Sequence, residues 1–144
     1  MGSLDHAAQL TLAPGWDSVR LFLHVLAATI WVGGQFVMLG LLPTGRSLGG
    51  EATKSLAGAF ARLSWPAFVV LVLTGFWNLA ALNSQSKSSA WSAVLGVKIA
   101  LVVLAGVGAW LHGRATSRAA MGAWASIAGV ASVLALYAGV LLAG

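Results

Sequence analysis

The chain has no cysteine. This absence excludes disulfides, thiolate metal sites and thiol redox chemistry. Histidine and methionine are then the soft or borderline metal ligands that remain. There are six of them: His6, His24, His112, Met1, Met38 and Met121. Any metal chemistry of this chain must therefore use a small set of ligands.

Charge is also scarce. Only 8% of the 144 residues are charged, whereas 59% are hydrophobic. Soluble domains carry about 25% charged residues, so this composition indicates an integral membrane protein. Four apolar runs are long enough to cross a bilayer, which takes about 20 helical residues. They cover residues 19–42, 63–82, 91–113 and 119–143. We predict one all-α domain over residues 1–144, an antiparallel bundle of four transmembrane helices in a lipid bilayer.

The net charge of +5 lies mostly in short loops, a sign of membrane topology rather than of nucleic-acid binding. Arg46, Lys54 and Arg62 fall between the first two runs, and Arg114 and Arg118 fall between the last two. Because basic loops stay in the cytoplasm, we predict a multi-pass protein of the inner (plasma) membrane with both termini outside. The first 18 residues lack the pattern of a cleaved signal, so we expect the first span to direct insertion.

Proline and serine suggest where the helices begin and end. Pro43 is expected to stop the first helix. The stretch Thr44–Gly58 is interpreted as a loop, with a short interfacial helix near Glu51–Ala61 as a further option. Ser64–Pro66 is expected to open the second span, since serine caps helices and proline suits the first turn. Small residues spaced along the fourth span predict tight helix packing: Gly122, Ser126, Gly129 and Ser132.

Polar side chains within the spans are the candidates for function. With a rise of 1.5 Å per residue, four of them lie roughly 6–10 Å inside the outer ends of the four helices. They are His24, Asn78, Lys98 and Tyr137. An ammonium group in hydrocarbon must reach water, pair with a charge or meet an anionic ligand. His24 and Lys98 together therefore indicate a cofactor that carries both a metal and carboxylates, or an anionic substrate. In the simpler alternative, Lys98 extends to the outer surface and His24 binds a neighbouring carbonyl.

The remaining candidates lie deeper or at the inner end. Trp31, Gln35 and Met38 share a helical stripe with His24, which is expected to face protein. Trp31 is one of two deep tryptophans that could flank a flat macrocycle. His112 is most simply a side chain at the membrane interface, and a methionine such as Met38 more often fills space in the core. Both are kept as weaker candidates for metal ligands. His24 and Met38 lie about 21 Å apart on one helix and cannot share a metal ion.

Short motifs in the first three helices resemble the copper resistance D (CopD) domain family and the related HemJ-type protoporphyrinogen oxidases. The resemblance covers about residues 19–113 with the same order and spacing. It rests on the run HVLAATIWVGG at His24–Gly34, followed by Leu42, Pro43 and Arg46, and on Leu73–Gly75 and Leu95–Ile99. After Trp31 the sequence continues Val32-Gly33-Gly34, unlike the proline- and arginine-containing continuation of the HemJ pattern, and this moves the match towards CopD.

The resemblance implies a b-type haem, with His24 and Lys98 matching the histidine and lysine that mark the HemJ branch. His24 would be an axial ligand, and Lys98 would pair with a propionate or approach the iron. The implied role is electron transfer or porphyrinogen oxidation, as a haem-dependent membrane oxidoreductase with quinone or porphyrin as partner. CopD domains instead imply copper uptake or tolerance, for which His6 and His24 could form an outer copper site. A third option is an accessory subunit of a larger membrane complex, docked through the small-residue face of the fourth span. A homo-oligomer is a further option.

Overall fold

A computed structural model describes residues 15–82 and 87–144, and within them the chain forms long helices. The first span runs from Trp16 to Ser47. It consists of α1 (Trp16–Ala28), a π-helical turn (Thr29–Gly33) and α2 (Gly34–Ser47). The other three spans are α3 (Gly50–Ala80), α4 (Ser89–Arg114) and α5 (Arg118–Ala143). All four spans are long and apolar enough to cross a membrane, which confirms the predicted all-α membrane bundle.

The first span and α3 form a longer hairpin than the sequence predicts. Pro43 was expected to end the first helix, but it lies inside α2, and most of the predicted loop Thr44–Gly58 is helical. The chain reverses instead at Leu48 and Gly49, where the φ angle of Gly49 is +108°, a conformation that glycine adopts without strain. The helices extend beyond the predicted ends because they pack on each other: a side chain at Gly45 would touch Thr53 and Leu56.

The expected start of the second span was also wrong. Ser64–Pro66 lies in the middle of α3 rather than at its beginning. Ser64 is buried, so it serves a helix contact and not a cap. A helix of 31 residues is about 46 Å long, so α3 exceeds the roughly 30 Å hydrocarbon core and must extend beyond it.

The second hairpin joins α4 to α5 through a short turn at residues 115–117. Serine side chains cap both helices: Ser88 accepts a hydrogen bond from the Trp91 amide, and Ser117 accepts one from the Ala120 amide. The buried face of α5 consists of small residues, but of the four that the sequence analysis named only Ser132 is buried; Gly129 is partly buried, and Gly122 and Ser126 are exposed. The buried set is Ala128, Ala131, Ser132, Ala135 and Ala138.

Two contacts place the hairpins side by side. The Phe68 ring of α3 fills the space beside Gly106 of α4, where an added Cβ would come within 2.7 Å of the ring. The π-helical turn of the first span also packs against α5. Trp31, in this turn, is only 4% exposed and is the largest side chain of the buried core. The described helices therefore form one bundle in which the first span contacts both α3 and α5.

Candidate functional site

His24 is held in a fixed orientation by α3. Its Nδ1 atom lies 2.8 Å from the Thr74 hydroxyl. The imidazole also lies against Gly75, where an added Cβ would sit 3.7 Å from the ring Cε1. Thr74 is buried and His24 is partly buried. The motif Leu73-Thr74-Gly75, seen first as a sequence match, thus supplies a hydrogen-bond partner and space for the histidine.

The Thr74 hydroxyl determines which ring nitrogen of His24 carries the proton. Threonine has a single hydroxyl proton, and Thr74 donates it to the Val70 carbonyl at 2.7 Å. The Thr74 oxygen therefore accepts the hydrogen bond from Nδ1–H of His24. In the neutral imidazole, the lone pair is then on Nε2. This is the arrangement in which a histidine coordinates a metal through Nε2 while its other nitrogen is anchored by the protein.

Lys98 extends from α4 towards α5. Its Nζ is 3.2 Å from the position that a Cβ on Gly139 would take, so the glycine makes room for the ammonium group. Lys98 is partly buried. Among the described residues the salt bridges are Arg20–Asp17 and Lys54–Glu51, and neither involves Lys98. The structure packs His24 against α3 and Lys98 against α5, and a shared site for the two stays a prediction.

Asn78 and Tyr137 were expected at the same level, and the structure separates them. Asn78 lies one turn after Thr74 on α3, and its Oδ1 is buried without a hydrogen-bond partner. Tyr137, in contrast, is 59% exposed and lies in an apolar groove between α4 and α5 with Val97 and Leu141. Because Tyr137 and Gly139 are two residues apart, they occupy opposite sides of α5. Depth alone did not show that Tyr137 points away from Lys98.

Trp31 lies about 10 Å from His24 along the first span and belongs to a separate buried network. Its indole N–H donates to Ser132 of α5 at 2.9 Å, and Gln35 donates to the same hydroxyl at 3.2 Å. The Trp31 ring packs on Phe68, with 4.5 Å between centroids, and against Trp65. The expected protein-facing stripe is confirmed for Trp31, and Gln35 and Met38 are partly buried. This network joins the two hairpins.

His112 lies about 21 Å from Lys98 along α4, at the other end of the bundle. Its Nδ1–H donates to the Met121 carbonyl at 2.8 Å, a contact that closes the turn between α4 and α5. The neighbouring Arg114 stacks over Trp110 at 4.0 Å. These contacts are those of a helix-end side chain. Within residues 15–82 and 87–144, no three His, Cys, Asp or Glu side chains group together as a metal site, and His6 lies outside these ranges.

Sequence reasoning did not find the roles of three residues that the structure places at or near these sites. Thr74 orients His24, Ser132 receives two hydrogen bonds, and Arg20 has a largely buried side chain one turn before His24. All three are polar residues in or beside apolar runs, which is the signal that could have found them. The π-helical turn at Thr29–Gly33 was also not predicted, although such turns are frequent at functional sites.

No protein-family model, curated protein or solved structure matches this chain.

Proposed function

We propose that this chain is an inner-membrane protein of the CopD/HemJ type that binds a b-type haem through His24. The observation that carries the proposal is the hydrogen bond from His24 Nδ1–H to Thr74. It fixes the ring and leaves the Nε2 lone pair for iron, since neutral imidazole is a common axial ligand of haem. The short resemblance around His24–Gly34 supports the same assignment.

The other residues around His24 suit a cofactor that carries carboxylates. Lys98 supplies a positive charge, and no described carboxylate pairs with it. Gly75 and Gly139 keep the space beside the imidazole and the ammonium group free of side chains. His24 would hold the iron, and Lys98 would bind a propionate. A haem bound there supplies one-electron redox chemistry, which fits electron transfer or porphyrinogen oxidation with a quinone or porphyrin partner.

The test is an oxidised-minus-reduced absorption spectrum of detergent-purified protein expressed with ample haem. We expect a Soret band and an α band in the wild type and in His112→Ala, and their loss in His24→Ala. His112 is the matched control because it is a second partly buried histidine with an anchored Nδ1, at the opposite end of the bundle. A wild-type protein without a Soret band would contradict the proposal.

Metal analysis of the same preparations tests the copper alternative. The available Nε2 of His24 also suits copper, which imidazole binds well. Copper that copurifies in stoichiometric amount without haem, and is lost in His24→Ala, would replace the haem proposal with a copper-handling role. We expect iron in proportion to the Soret absorbance instead.

A further inference from the structure

Among the described residues, the guanidinium group of Arg20 has a polar partner on one side only. Its side chain is 13% exposed, and Nη1 lies 3.2 Å from the carboxylate of Asp17, whose side chain is 84% exposed. The Nε atom is buried and has no hydrogen-bond partner among the described residues. One edge of the group therefore meets an acid at the surface, while the edge that includes Nε–H faces protein without an acceptor.

The unsatisfied edge of Arg20 has the geometry of a carboxylate site. Nε–H and the neighbouring Nη2 present two parallel N–H groups, which match the two oxygens of one carboxylate. A buried N–H of a charged group without an acceptor is destabilising, so a ligand that supplies oxygens there would stabilise the arrangement. Asp17 is bound to the other terminal nitrogen, Nη1, and leaves this edge free.

Arg20 lies one helical turn before His24 on α1. Residues four apart lie on the same side of a helix, so Arg20 is on the side of α1 from which His24 contacts Thr74 of α3. On α3, Asn78 is four residues after Thr74, so it lies one turn from the histidine towards the same end. The Oδ1 atom of Asn78 is also buried without a partner. Exchanging the oxygen and nitrogen of this amide, a turn of about 180° about the last side-chain bond, presents N–H groups instead, and in that orientation the pair can bind an anion jointly.

We propose that Arg20 is a carboxylate-binding residue of the His24 site, with Asn78 as its neighbour. Arg20 then supplies a second cation for the two propionates of the porphyrin, in addition to Lys98. This inference rests on the haem binding proposed above and adds a second carboxylate contact to it. Arg20 recognises the acidic edge of the macrocycle, and His24 recognises the metal.

The test compares two ligands that differ only in their carboxylates. Detergent-purified apoprotein is titrated with haem b and with the dimethyl ester of haem b, and affinities are read from the Soret band. We expect the wild type to bind haem b about 10- to 100-fold more tightly than the diester. Arg20→Gln should lower the affinity for haem b about 10-fold and leave the affinity for the diester unchanged.

Two further variants separate recognition from stability. Arg46→Gln removes an exposed arginine at the other end of the first span and should leave both affinities unchanged. Arg20→Lys keeps the charge but lacks Nε–H and the paired geometry, so it should retain part of the preference for haem b. If Arg20→Gln fails to fold, the comparison of wild type with Arg20→Lys still tests the proposal.

The outcomes distinguish this inference from the haem proposal itself. Binding that does not depend on His24, or no binding of either ligand, would overturn haem ligation and this inference with it. Binding that depends on His24 but is equal for haem b and the diester, and equal in Arg20→Gln, would overturn the role of Arg20 alone. Arg20 would then be a contact to lipid phosphate at the membrane surface.

Discussion

The two hairpins of the bundle differ in how completely they satisfy their own polar groups. Between α4 and α5, small residues bring the backbones together, and a Cβ on Gly108 would lie 3.2 Å from the Ala128 backbone nitrogen. Between α1 and α3, a histidine, a threonine and an arginine share the interface, and two polar atoms lack partners, Nε of Arg20 and Oδ1 of Asn78. Among the described residues, the second hairpin is held by close packing and leaves the ammonium group of Lys98 for a ligand, whereas the first has buried polar atoms without partners.

The largest expected loss of folding stability comes from a substitution that disrupts the packing of the second hairpin. Gly108→Leu places a large side chain against the backbone of α5, where no flexible side chain can move away. We expect a loss of folding stability of about 3 kcal/mol or more, measured by denaturant or thermal unfolding in detergent. Gly96→Leu is the matched control in the same helix, because a Cβ there meets nothing within 4 Å. Equal stabilities for the two variants would contradict close α4–α5 packing.

The next largest expected loss of folding stability comes from breaking the contact between the two hairpins. Ser132→Ala removes the acceptor of the buried Trp31 N–H and one acceptor of Gln35. We expect a loss of about 1–3 kcal/mol in unfolding free energy, because the indole N–H stays buried without a partner. Ser126→Ala, on the exposed side of α5, loses only a bond to its own helix at Gly122 and should behave like the wild type. An unchanged unfolding free energy in Ser132→Ala would mean that this network does not join the hairpins.

A smaller effect is specific to the first hairpin. Thr74→Val keeps the shape of the side chain but removes the oxygen that accepts from His24. We expect a 10- to 100-fold lower affinity for haem, the usual cost of losing the partner of a metal-bound histidine. Thr74→Ser should restore most of it. Soret titration measures the affinities, and unchanged binding in Thr74→Val would show that this contact does not orient the ligand.

The smallest effect is expected at the opposite end of the bundle. His112→Ala removes a hydrogen bond of 2.8 Å to the Met121 carbonyl near the α4–α5 turn. We expect a stability loss of about 0.5–1.5 kcal/mol and no change in the absorption spectrum. A change in the spectrum would assign His112 to the cofactor and remove the distinction between the two ends of the molecule.

The sequence predicts the number and type of the helices well, because hydrocarbon thickness requires long apolar runs. It predicts their ends poorly at Pro43 and Ser64–Pro66. There, packing between α2 and α3 continues the helices past residues that often start or stop them. For a proline this is possible because neighbouring helices can compensate the lost hydrogen bond.

The residues of the candidate site were also predicted only in part. Matching depth pairs His24 with Lys98, and this stays a prediction, since the structure packs His24 on α3 and Lys98 on α5. It misplaced Tyr137, because the direction of a side chain around its helix depends on which face packs inward. It gave no sign of Thr74 or Arg20, whose roles depend on contacts between helices. Haem, copper and the outward orientation of the termini remain predictions.

The measurement that tests haem ligation by His24 most directly is rescue of a His24→Gly variant by free imidazole. The variant removes the ligand side chain but leaves space beside Thr74 for an added imidazole. We predict that His24→Gly loses the reduced α band, and that millimolar imidazole restores it with a saturating dependence on concentration. A His24→Gly protein that keeps the wild-type spectrum without imidazole would contradict the account.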